Sequence, residues 1–140
     1  QSLVFSQSVA NPVFAYVSLN GNGYAFLDQD FEILSEGGVD GNACGYWGCG
    51  GAQKVVVDLG GGHHEYQLNA TSGEPHGAIR FLGAFSTVQW RSLSNEYWNG
   101  FTVGVQGTAQ EVFETPEPGT LALVGLGALG MVWRRRSTKR

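Results

Sequence analysis

Short runs in which apolar and polar side chains alternate, each cut off by Gly, Asn or Pro, recur from Leu3 to Gln106. A period of two is the spacing of a strand, whose successive side chains point to opposite faces. Leu3–Val9 alternates and stops at Asn11-Pro12, where proline removes a ladder donor. Val13–Leu19 sets Val13, Ala15, Val17 and Leu19 against Phe14, Tyr16 and Ser18. Asn20-Gly21-Asn22-Gly23 then gives a hairpin signal, because Asn and Gly accept positive φ at little cost. Tyr24–Leu27 and Phe31–Leu34 read as two short strands or one bulged strand. Lys54–Leu59 is continuously apolar through Val55-Val56-Val57, which predicts a central strand buried on both faces, turned by Gly60-Gly61-Gly62. His63–Asn69 alternates weakly, Ala78–Leu82 sets Ile79 and Phe81 opposite Arg80, and Phe85–Leu93 and Phe101–Gln106 close the series. About nine short strands with frequent turns and no helical pattern between them predict an all-β body, an antiparallel β-sandwich or jelly roll.

The end of the chain obeys a different rule. Thr115-Pro116-Glu117-Pro118-Gly119-Thr120 is a rigid break, Leu121–Trp133 is uncharged and mostly apolar, and Arg134, Arg135 and Arg136 open a basic terminus. As a helix, 119–133 spans roughly 20 Å, short of a hydrocarbon core of about 30 Å. Trp133 at an interface and snorkelling arginines would help it reach across. The expectation is a single transmembrane helix; the alternative is a buried helix with a solvated basic end, which four glycines in and beside the run weaken. The division that follows is a sandwich body over 1–107, a polar stalk over 108–115 and a terminal signal over 116–140, with its motif at 116–120, span at 119–133 and basic tail at 134–140.

Charge is split across that run. Residues 1–133 hold 12 acidic and 3 basic side chains, and all five remaining cations follow Trp133. A body so acidic does not hold nucleic acid by neutralising phosphates. The basic end keeps the C-terminus cytoplasmic and sends the body across. The chain opens on Gln1 without a methionine, which fits a removed signal peptide or a fragment of a longer protein.

Pro116-Glu117-Pro118-Gly119-Thr120-Leu121-Ala122-Leu123, the Gly/Leu-rich run and Arg134-Arg135-Arg136 together closely resemble the PEP-CTERM sorting signal. The resemblance covers roughly the last 25 residues. It implies that Pro116, Glu117 and Pro118 are recognised by an exosortase, a multi-pass membrane enzyme similar to a cysteine transpeptidase, which removes the tail. It also implies a substrate role, with the inner membrane as a transient anchor, the body first periplasmic, and delivery to the surface of a Gram-negative bacterium that makes exopolysaccharide and forms biofilm. In the body, Phe81-Leu82-Gly83, Val88-Gln89-Trp90 and Trp98–Gly104 are similar to the closing hairpin of many such proteins. Val55–Gly60 faintly resembles a strand of discoidin-like sugar-binding sandwiches.

Glu36–Ala52 is Gly-rich and aperiodic, and it carries Cys44 and Cys49. An even cysteine count in an exported chain favours a disulfide between them; free thiols are the alternative, and a zinc site lacks its second pair. Tyr46, Trp47, Tyr97 and Trp98 fall in loops. They are expected to plug the ends of the core, with stacking on sugar rings as the alternative. Asp28, Asp30 and Glu32 alternate and are expected on one strand face, either solvated or joined by Ca²⁺, with Asp40 and Asn42 as further oxygen ligands. His63-His64-Glu65 and His76 lack metal-ligand spacing, since strand neighbours point apart. There is no Gly-x-Ser-x-Gly elbow and no phosphate loop. The expected function is that of a non-enzymatic exported surface or matrix protein. The alternative is a carbohydrate-binding sandwich in the same matrix, Ca²⁺-dependent if the three carboxylates bind metal, and a small secreted hydrolase ranks third.

Overall fold

The fold was taken from a computed structural model, which describes residues 1–37, 44–95 and 98–113. Its strands are β1 (Ser2–Ala10), β2 (Val13–Val17), β3 (Gly23–Leu27), β4 (Phe31–Glu36), β5 (Cys44–Gly45), β6 (Gly48–Gly60), β7 (His63–Gly73), β8 (Gly77–Phe81), β9 (Ala84–Gln89), β10 (Arg91–Ser92) and β11 (Gly100–Gly104). A short helix, α1 (Ala109–Phe113), follows them. All pairings between these strands are antiparallel. Among the described residues one sheet runs β10-β3-β7-β6-β5, a second runs β11-β2-β8-β4, and β1 pairs with β9.

The two larger sheets meet across an aromatic core. On β2 the alternation buries Phe14 and Tyr16 and leaves Val13, Ala15 and Val17 half-buried. The Phe14 ring meets Tyr24 and Phe26 of β3 edge-on at 5.6 and 5.9 Å, and stacks on Phe101 of β11 at 4.3 Å. Phe26 in turn meets Phe31 and Phe81 at 5.6 and 4.9 Å. On β8, Ile79 and Phe81 point into this cluster while Arg80 reaches out to Glu32. Edge-on rings place the positive rim of one on the negative face of the next, so directional attraction adds to area burial.

Local turn chemistry and strand partnership part company here. Asn20–Gly23 does turn the chain, with Gly21 at φ 63°, but it joins β2 to β3, which lie in different sheets. An Asn-Gly signal specifies a tight turn and leaves the pairing of the next strand open. Asn22 is buried there, and its Oδ1 accepts from the backbone N–H of Ser94 at 3.0 Å. Gly60-Gly61-Gly62, all at positive φ, does make a hairpin, between β6 and β7.

The strand buried on both faces is β3, flanked by β10 and β7, rather than the expected Lys54–Leu59. In β6, Val56 and Leu59 are 51% and 54% exposed. The reason is position: β5 covers only Gly48 and Cys49, so Lys54–Leu59 forms a sheet edge paired on one side by β7.

The segment read as a stalk is also different. Thr108 bridges to Val9, and α1 follows it. Thr108 and Glu111 form a reciprocal cap: Thr108 Oγ1 accepts from the Glu111 N–H at 3.1 Å, and Glu111 Oε2 accepts from the Thr108 N–H at 2.9 Å. The expected membrane helix at 119–133 and the rest of 116–140 lie outside the described residues. Among the described residues no helix is long and apolar enough to cross a membrane.

Candidate functional site

Cys44 pairs with Cys49 and Gly45 with Gly48 in a two-rung hairpin whose turn is Tyr46-Trp47. A disulfide joins Cys44 to Cys49, with Cα atoms 3.9 Å apart. A two-stranded hairpin this short is marginal alone, so the staple and the floor beneath it hold the tip in place. That floor is Glu74-Pro75-His76. The Glu74 N–H donates to Cys49 O at 3.0 Å, Leu19 N–H to Pro75 O at 3.0 Å, and Gly37 N–H to His76 O at 2.9 Å. Ser18 Oγ donates to Glu74 Oε2 at 2.5 Å.

Glycine permits the close approach. A Cβ on Gly45 would lie 2.8 Å from His76 Nε2, so only glycine lets the strand rest on the imidazole. Gly73, at φ 53°, faces Cys49 O at what would be 2.1 Å from a Cβ, and both conformation and space exclude a side chain.

The tip aromatics do not plug the core. Tyr46 is 91% exposed, Trp47 57% and Trp98 52%. They are nonetheless in mutual contact. The Tyr46 and Trp47 rings lie 4.8 Å apart at 86°, and Trp47 and Trp98 lie 5.5 Å apart at 60°. The structure thus brings Trp98 to Trp47 from 51 residues away in the chain. Trp98 is held from the interior: the hydroxyl of buried Tyr24 donates to Asn99 Oδ1 at 2.5 Å, and Phe101 stacks on Phe14. Tyr97 lies outside the described residues. The core positions that would have plugged the ends are already filled by Tyr24, Phe14 and Trp90.

Asp28, Asp30 and Glu32 are not drawn together, and the expectation of one shared strand face is corrected. Asp28 and Asp30 sit in the crossover between β3 and β4, with Asp28 at φ 51°, and only Glu32 is within a strand. Each has its own partner. Asp28 accepts from the His64 N–H at 2.8 Å and meets His63 Nδ1 at 2.6 Å. Asp30 pairs with Lys54, and Glu32 with Arg80. The His64 backbone bond, then the His63 contact, hold the Asp28 carboxyl below its ordinary range. Among the described residues no group of three His, Cys, Asp or Glu side chains could hold a metal ion. Asp40 and Asn42 lie outside the described residues.

On the other face of the five-stranded sheet, Arg91 makes a two-pronged pair with Glu65, at 2.7 Å to Oε1 and 3.0 Å to Oε2. The guanidinium is the main cause that lowers the Glu65 carboxyl below its usual value, and Gln67, donating to Oε1 at 2.7 Å, adds to it.

Pro116, Glu117, Pro118, Arg134, Arg135 and Arg136 lie outside the described residues. Residues 114–136 match the family model of the PEP-CTERM protein-sorting motif. The chain therefore pairs a β-rich body with a sorting tail, and that motif implies an exported protein handled by an exosortase. No curated protein and no solved structure matches the chain.

Proposed function

We propose that this is an exported, exosortase-processed protein of the cell surface or extracellular matrix of an exopolysaccharide-producing Gram-negative bacterium. Its body is a non-enzymatic β-sandwich, held in the periplasm by a tail anchored in the inner membrane and released to the surface after processing. The observation that supports this reading is the sorting motif, which begins at residue 114, directly after the last residue of α1. The body thus leads into its sorting address with no long spacer between them. Mass spectrometry of the mature protein from its host tests the proposal. A C-terminus near Pro116 is expected, and a steady-state population ending at Arg140 overturns it.

A second reading, a carbohydrate-binding body in the same matrix, is favoured by the outward-facing cluster of Tyr46, Trp47 and Trp98. Contiguous exposed aromatic rings often mark a binding surface. Ca²⁺ is not invoked, because Asp28, Asp30 and Glu32 each have a separate partner.

A further inference from the structure

We infer that the stapled tip carrying Tyr46 and Trp47, together with Trp98, binds a polysaccharide that is neutral or bears amino groups, and rejects polymers carrying uronate or sulfate. The inference rests on the carbohydrate-binding reading and adds the charge class of the ligand.

The first part of the argument is shape. Three exposed rings are in contact: Tyr46 and Trp47, on a hairpin fixed by a disulfide and by the Glu74–His76 floor, meet at 86°, and Trp98 tilts against Trp47 at 60°. The C–H face of a pyranose carries slight positive charge and suits the negative face of an aromatic ring. A tip ordered before binding loses little conformational freedom on contact.

Charge supplies the second part. Residues 1–113 hold ten acidic side chains and three basic ones, Lys54, Arg80 and Arg91. All three cations are already engaged, with Asp30, Glu32 and Glu65 respectively. Lys54 is further enclosed, its ammonium 5.3 and 5.2 Å from the ring centroids of Phe31 and Tyr66. An anionic polymer would meet, over residues 1–113, a negative surface whose three Lys and Arg side chains are all committed to carboxylates. The Glu74 carboxylate, which accepts from Ser18 Oγ in the floor under the tip, adds to that negative charge. An ammonium-bearing sugar finds attraction there, and a neutral one finds no penalty.

The same facts weigh against other occupants. Peripheral membrane attachment through aromatics draws on basic residues facing anionic lipid, and the three basic residues of 1–113 are all paired with carboxylates. A stable protein partner needs about 800 Å² on each side, more than three ring faces supply.

Affinity electrophoresis of the full chain through gels containing laminarin, chitosan or alginate tests the inference, with a dynamic-light-scattering and liposome-flotation control. Retardation by laminarin or chitosan is expected, about tenfold weaker in Trp47→Ala and in Trp98→Ala. Trp47→Phe should keep most of the binding, and Leu59→Ala, an exposed apolar change elsewhere, should leave it intact. Matching thermal midpoints for all variants exclude loss of folding as the cause. Ring-dependent retardation by alginate, alone or beside the other polymers, or polymer binding indifferent to the ring substitutions, overturns the inference and leaves the carbohydrate reading standing. No retardation by any polymer, including ring-dependent self-association or vesicle binding in its place, overturns both.

Discussion

Removing the Phe14 ring is the most severe single change the core geometry offers. The side chain is 1% exposed and touches five aromatic rings: Tyr24, Phe26, Phe81, Trp90 and Phe101. Phe→Ala in a core costs about 3–5 kcal/mol, the spread reflecting how far the site collapses. Here collapse is resisted from both sides. Tyr24 and Phe26 are fixed by the β3–β7 ladder, and Phe81 by β8, which is paired on both edges. The upper part of the range, about 4 kcal/mol, is therefore expected for Phe14→Ala. With a urea dependence of about 2 kcal/mol/M, the unfolding midpoint falls by about 2 M. The assay reads itself: Trp90 lies 5.7 Å from Phe14 and is buried, so its fluorescence reports loss of this cluster. Phe113→Ala, at a residue 53% exposed, is the control and should shift the midpoint hardly at all. A Phe14→Ala shift no larger than the control's would refute the placement of Phe14 at the junction of the two sheets.

Two further outcomes follow from named contacts. Thr108→Ala removes the hydroxyl half of the α1 cap and leaves the bond from the Thr108 N–H to Glu111 Oε2; it should cost about 1 kcal/mol, read as faster amide exchange at Glu111 and Val112, while exchange in β3 and β7 stays unchanged. Acid should weaken the fold through Glu65: its carboxyl is lowered in the folded state, so its contribution is complete above the unfolded value of about 4.3 and is lost as pH falls through the lower folded value. Glu65→Gln should therefore flatten the low-pH limb of a melting-temperature profile, and an unchanged limb would assign the acid sensitivity to Asp28 or Glu111.

The period-two runs were enough to read an antiparallel β body, because alternation reports the pleat directly. It reports only that a strand has two faces, and burial depends on neighbours. Val55-Val56-Val57 has the composition of an interior strand and lies at an edge, since the residues that would flank it come from a two-residue β5. The aromatic cluster was half legible. Tyr46 and Trp47 stood out as loop residues, yet their meeting with Trp98 depends on the Tyr24–Asn99 bond, which joins residues 75 positions apart. Nor did any local pattern single out Glu74-Pro75-His76 as a floor, because its partners are single backbone bonds to three separate segments. The α1 cap was written in the sequence as Thr108-x-x-Glu111, a four-residue signature easily taken for a polar linker when no apolar run of helical length follows it.

The order of strands in the second sheet has a kinetic consequence. β2 finds its neighbours in β8 and β11, so Phe14 sits opposite Ile79 on one side and Val103 on the other. Neither neighbour exists until most of the chain has been delivered. Loop closure over such separations is slow, and sheets built from distant pairings fold late. A chain of this topology cannot complete the second sheet until Gly100–Gly104 is available to pair with β2.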